Sequence, residues 1–107
     1  EKPNYVQIPA MNIPVIGDGG ISQNVSLSVV IETTSVGAAD DVRKNLPRLN
    51  DAYITDLYSL LNGHDAVREG VVQVAIIKRD LETISRKVVG EDKIKDVLLQ
   101  VLYQKRM

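Results

Sequence analysis

Residues 11–32 read "MNIPVIGDGGISQNVSLSVVIE", and the four residues Gly17-Asp18-Gly19-Gly20 at their centre decide how the chain is read. A glycine-rich loop that cradles a phosphate needs a strand before it and a helix directly after it, whose N-terminal amides face the anion. Here the following residues do not turn into a helix. Val25, Leu27, Val29 and Ile31 alternate with Asn24, Ser26, Ser28, Val30 and Glu32, the period-two pattern of a strand with one buried face. No Lys-Ser or Lys-Thr pair follows the glycines. Asp-Gly and Gly-Gly are what a short hairpin connection requires, because its residues take positive φ. The glycines are read as a turn between two antiparallel strands.

Upstream, Tyr5-Val6-Gln7-Ile8 and Ile13-Pro14-Val15-Ile16 are rich in strand-forming residues, but Pro9 and Pro14 interrupt them. Proline cannot donate to a ladder, so this segment is expected to be an edge strand, or a bulged and broken one. Downstream, Thr33-Thr34-Ser35-Val36-Gly37 is a turn cluster in which Ser35 can cap a helix. From Ala38 to Leu61 the period becomes helical, with Val42, Leu46, Leu49, Tyr53, Leu57 and Leu60 on one stripe. Pro47 inside that run either kinks the helix or marks the first turn of a second one. Asn62-Gly63-His64-Asp65 ends it.

A second helix is expected from about Val71 to Val89, carrying Val74, Ile77, Leu81, Ile84 and Val88, with Gly90 just past its end. The last element, Ile94 to Gln104, alternates through Val97, Leu99, Val101 and Tyr103. Leu98 and Leu102 on its other side suggest an interior strand covered on both faces. The order β-β-α-α-β predicts a small α+β domain, in which two amphipathic helices cover one face of a sheet made by the N-terminal hairpin and the C-terminal strand.

The chain has 107 residues, enough for one domain, with 44% hydrophobic and 25% charged residues. Its four aromatic residues are all tyrosine, so the core must be aliphatic. The formal net charge of -1 gives no reason to expect nucleic acid as a partner. There is no cysteine, which excludes disulfides, thiol catalysis and thiolate metal sites. No run approaches the roughly 18 apolar residues of a membrane-spanning helix.

The residues that could carry chemistry are few. His64 is the only histidine and has Asp65 beside it, so a small-molecule-binding or hydrolytic role for that pair is one alternative. Neither a second histidine nor a serine in a nucleophile-elbow context accompanies it. Asp40 and Asp41 are adjacent, but neighbouring helix positions point about 100° apart and do not converge on one substrate. No catalytic, cofactor or metal site is assigned. The face opposite the apolar stripe carries Asp41, Lys44, Arg48, Asp51 and Thr55 at spacings of three and four. Mixed charge at that spacing makes either a solvated face or a surface for a protein partner.

The stretch "DDVRKNLPRLNDAYITDLYSLL", entered from the strand-rich "YVQIPAMNIPVIGDGG…QNVSLSVVIE" and followed by a second helix and a terminal strand ending at Gln104, resembles the periplasmic domain of the FliL-type flagellar basal-body-associated proteins. The likeness covers nearly the whole chain in element order and lies most specifically in Leu46, Pro47, Leu49, Asp51 and Ala52. It implies a single periplasmic domain over residues 1–107 with a stomatin-like (SPFH) fold. It also implies a single membrane-spanning anchor ahead of Glu1, at the periplasmic face of the bacterial inner membrane. Such proteins are not enzymes. They associate with the stator units of the flagellar motor and with the basal body, self-assemble as homo-oligomeric rings, and support torque and motility. A membrane-anchored SPFH-like scaffold unrelated to motility is the alternative.

Overall fold

The computed structural model describes residues 4–17, 20–63, 67–68 and 71–106. Strands β1 (Tyr5–Gly17) and β2 (Gly20–Thr33) are antiparallel neighbours that pair from Tyr5↔Glu32 down to Gly17↔Gly20. The glycines therefore do connect two strands of a hairpin, although Asp18 and Gly19 lie outside the described residues. Val25, Leu27, Val29 and Ile31 of β2 are all fully buried, as their alternation requires. Burying each such side chain contributes roughly 1.5–3 kcal/mol, which makes β2 the spine of the core.

The β1 strand lies at one edge of the sheet, and its register shifts between Ile8 and Met11. Pro9 and Ala10 sit in that shift. An edge strand tolerates proline there because a missing donor leaves no central ladder bond unmade.

Two helices stand where the first helical run is expected. Helix α1 (Val36–Lys44) begins with Ser35, whose Oγ accepts a hydrogen bond from the Ala38 N–H at 3.0 Å. It ends at Asn45, whose Nδ2 donates to the Asp41 carbonyl at 2.8 Å. Helix α2 (Leu46–Asn62) then starts afresh with Pro47 in its first turn. Of the two roles open to Pro47, starting a helix is the one it takes. Its missing N–H would have had no intrahelical partner at that position.

Two short strands follow, β3 (Val67–Arg68) and β4 (Val71–Val72), which pair with each other. Helix α3 (Val74–Val89) thus begins three residues later than the apolar periodicity predicts, because Val71 and Val72 belong to that small hairpin. Val74 is correspondingly exposed, whereas Ile77 and Leu81 are fully buried. Gly90 closes α3 at φ 135°, and a 3-10 turn (Glu91–Lys93) leads into β5 (Ile94–Arg106).

The sheet order is β1-β2-β5, antiparallel throughout. That corrects one expectation: β5 is an edge strand, and β2 is the interior one. Val97 is buried toward the helices, but Leu98 points away from them and is 41% exposed. Apolar residues on both sides of a strand do not by themselves place it inside a sheet. Helix α2 packs chiefly on β1, α3 packs on β5, and the two helices pack on each other. The opposite sheet face is polar apart from Leu98 and its cross-strand neighbour Val30. There Gln7 Nε2 donates to Ser28 Oγ at 3.2 Å, Ser26 Oγ donates to Asn12 Oδ1, and Lys95 pairs with Glu32 at 3.4 Å. The architecture is an α+β domain with one helical layer on one antiparallel sheet.

Candidate interaction surface

The helical face expected from Asp41, Lys44, Arg48, Asp51 and Thr55 is divided by the break at Asn45. Arg48, Asp51 and Thr55 are exposed together along α2, on the side away from the buried Leu49, Tyr53 and Leu57. Arg48 Nη1 donates to Asn45 Oδ1 at 3.4 Å, which bridges the two helices across the break. Lys44 is exposed at the end of α1. Asp41 is different: it is half-buried and pairs with Lys93, whose Nζ lies 2.9 Å from Asp41 Oδ2. The hydrogen bond from Lys93, with its charge behind it, holds the Asp41 carboxyl below the usual carboxylate range. The same bond raises the Lys93 amine.

This ion pair stands in a groove at the start of α1, lined by Thr34, Ser35, Asp41, Lys44, Asp92 and Lys93 among others. Thr34 crosses to the 3-10 turn, its N–H donating to the Lys93 carbonyl at 3.1 Å and its Oγ1 to the Asp92 carbonyl at 2.9 Å. Charges of both signs line the groove, so it favours neither an anion nor a cation. His64 and Asp65 lie outside the described residues. Among the described residues, no cluster of three or more His, Asp or Glu side chains could hold a metal ion.

No family model matches this chain, and none of the curated proteins does. Its function therefore has to be argued from the residues.

Sequence periodicity does not reveal one cluster, in the seam between α2 and α3. Tyr53 and Ser85 are fully buried there, with Tyr53 Oη 2.5 Å from Ser85 Oγ, and Ser85 Oγ donates to the Leu81 carbonyl at 2.6 Å. Burial pushes the Tyr53 phenol up to about 12, against the opposing effect of its bond to Ser85. Further along the seam Asp56 of α2 is a neighbour of Asp80 of α3. Burial first, then the hydrogen bond and the charge of Asp56, pushes Asp80 up to about 7. Asp80 Oδ2 is itself buried without a hydrogen-bond partner, as is Asn50 Oδ1. In sequence each aspartate flanks its apolar stripe, next to Leu57 and Leu81, and reads as a solvated acid. Only the antiparallel packing of α2 on α3 sets one against the other.

Proposed function

We propose that this domain is the periplasmic part of a membrane-anchored, non-enzymatic component of the flagellar motor, which associates with the stator units, self-assembles around them and supports torque under load. The observation that carries the reading is the order of elements together with the helix that Pro47 opens. A hairpin, a helical run holding Leu46, Pro47, Leu49, Asp51 and Ala52, a further helix and a returning strand follow one another as the resemblance to the FliL-type proteins implies. Leu49 of that motif is fully buried and Ala52 half-buried, while Pro47 and Asp51 are exposed. The motif thus shapes and packs the helix more than it offers a reactive group.

The surface assigned to assembly is the exposed row of Lys44, Arg48, Asp51 and Thr55, with Asp41 held at its head by Lys93. Mixed charges along such a row favour a partner that carries the complementary pattern, and they set specificity and encounter rate more than raw affinity.

The test is localisation of the tagged full-length protein in live cells, with and without the stator proteins. Foci at flagellar bases that fade when the stator genes are deleted, together with a swimming defect in the null strain, are the expected result. A uniform envelope signal, indifferent to the stator, would overturn the motor reading and leave a membrane scaffold unrelated to motility.

A further inference from the structure

We propose that the β1 edge is a docking site for β5 of a second copy of this chain, and that Asn62 holds it shut. Asn62 is the last residue of α2 and reaches the edge strand with both ends of its amide. Its Oδ1 accepts from the Ile16 N–H at 2.6 Å, and its Nδ2 donates to the Pro14 carbonyl at 3.1 Å and to the Tyr58 carbonyl at 2.8 Å. An N–H and the carbonyl two residues before it are the two groups that a single residue of a parallel neighbouring strand bonds. A side-chain amide carries the same donor and acceptor as the backbone. Asn62 thus stands opposite Val15 in the place of one residue of a parallel strand.

That orientation selects the occupant. Within the sheet, β1 and β5 both run antiparallel to β2, so they are parallel to each other. A second copy that continues the sheet past β1 therefore presents its β5, in the direction that the position of Asn62 requires. Two copies joined β1 to β1, across a two-fold axis normal to the sheet, would instead run antiparallel. β5 is also the less guarded edge, since it has no proline whereas β1 has Pro9 and Pro14. Among the described residues of β5, the backbone N–H given to a side chain is that of Val97, which donates to Asp96 Oδ1 at 2.8 Å near the start of the strand.

The same placement covers exposed apolar surface. Ile16 adjoins the Asn62 amide, and Tyr58 and Ile54 precede Asn62 along α2 at spacings of four; all three are exposed. In the second copy α3 packs over β5, so that helix comes alongside α2 and buries Ile54 and Tyr58 as β5 joins β1. Both layers of the fold are extended at once. The contact is head-to-tail and leaves one β1 and one β5 open at the ends, so it grows into a ring or a filament and does not stop at a dimer. Release of Asn62 is the step that admits the copy, because its amide competes for the same two groups. This contact is separate from the charged row on α1 and α2, and it stands or falls apart from the motor reading.

Sedimentation of the 107-residue chain over a range of concentrations, as wild type and as Asn62→Ala, tests the gate. Self-association at least about tenfold tighter in the variant is expected, since two bonds no longer compete for the edge. The chain has no cysteine, so a short bis-maleimide can then read the geometry. In the Asn62→Ala background, one set of copies carries Asn12→Cys on β1 and another carries Gln100→Cys on β5, both at exposed positions. The two sets should cross-link to each other when mixed, and neither should cross-link alone. If Asn62→Ala does not fold, Asn62→Ser, too short to span both groups, carries the same test. Unchanged association in a folded variant, or cross-links within a single set of copies, would overturn the proposal.

Discussion

Replacing Ser85 with alanine isolates the buried hydroxyl chain that joins α2 to α3. Ser85 has a single proton, and it is given to the Leu81 carbonyl at 2.6 Å. The 2.5 Å contact with Tyr53 must then be the phenol donating to Ser85 Oγ. In Ser85→Ala the tyrosine O–H is left fully buried with no acceptor, at a cost of about 1–3 kcal/mol. Tyr53→Phe is milder, about 0.5–1.5 kcal/mol, because Ser85 keeps its bond to the carbonyl and loses only an incoming one. In the double variant neither polar end remains to be stranded. Adding Ser85→Ala to the Tyr53→Phe background should therefore cost almost nothing, and the serine site becomes slightly more favourable to helix. Urea unfolding at pH 7, far below the phenol's ionisation, gives all four stabilities of the cycle. Ser85→Ala should be the least stable of the three variants, with the double variant recovering at least about 0.5 kcal/mol. Two strictly additive single changes, or a Ser85→Ala variant as stable as the wild type, would refute the donor assignment.

Two other substitutions probe the chain's turning points. Gly90 has φ 135°, and a Cβ there would lie 3.3 Å from Asp92 Oδ1, so Gly90→Ala should cost about 1–3 kcal/mol and lower the melting temperature by at least about 4 °C. An unchanged melting curve would mean that the α3–β5 connection is not held in that conformation. Pro47→Ala should change stability by less than about 1 kcal/mol and leave the far-ultraviolet circular dichroism intact, since the ring sits where no helical N–H is needed. Loss of helical signal would show that α2 depends on the ring to start.

Much of the fold is legible where a physical period dominates. The alternation in 24–32 identifies β2 because every second side chain has only one dry place to go, and Ser35 announces α1 because its hydroxyl satisfies an otherwise unpaired N–H. Pro47 leaves two options open, and the choice was made by Asn45, whose side chain terminates α1 just ahead of it. The misreadings have equally local causes. Leu98 looks like an interior residue, yet the number of neighbours a strand has is set by topology and not by its own pattern. Val71 and Val72 keep the helical period but find pairing partners in Val67 and Arg68. The charged face on α1 and α2 is visible as spacing, whereas the capture of Asp41 by Lys93 is not, because the partner arrives from the far end of α3. That Asp56 and Asp80 are neighbours is invisible for the same reason.

The central strand also governs how the chain finds its structure. β2 joins β1 across the two residues between Gly17 and Gly20, but it joins β5 only after α1, α2, β3, β4 and α3 have intervened, with Thr33 opposite Ile94. Closing a flexible loop of that length costs about 3.6 kcal/mol in chain entropy, and nothing is recovered until Val97 and Leu99 meet Ile31 and Val29. Half of the sheet can thus form locally within microseconds, while the other half must await a non-local encounter. Docking of β5 becomes the slow step of folding, and until it happens β2 carries an open edge and an apolar face with no cover.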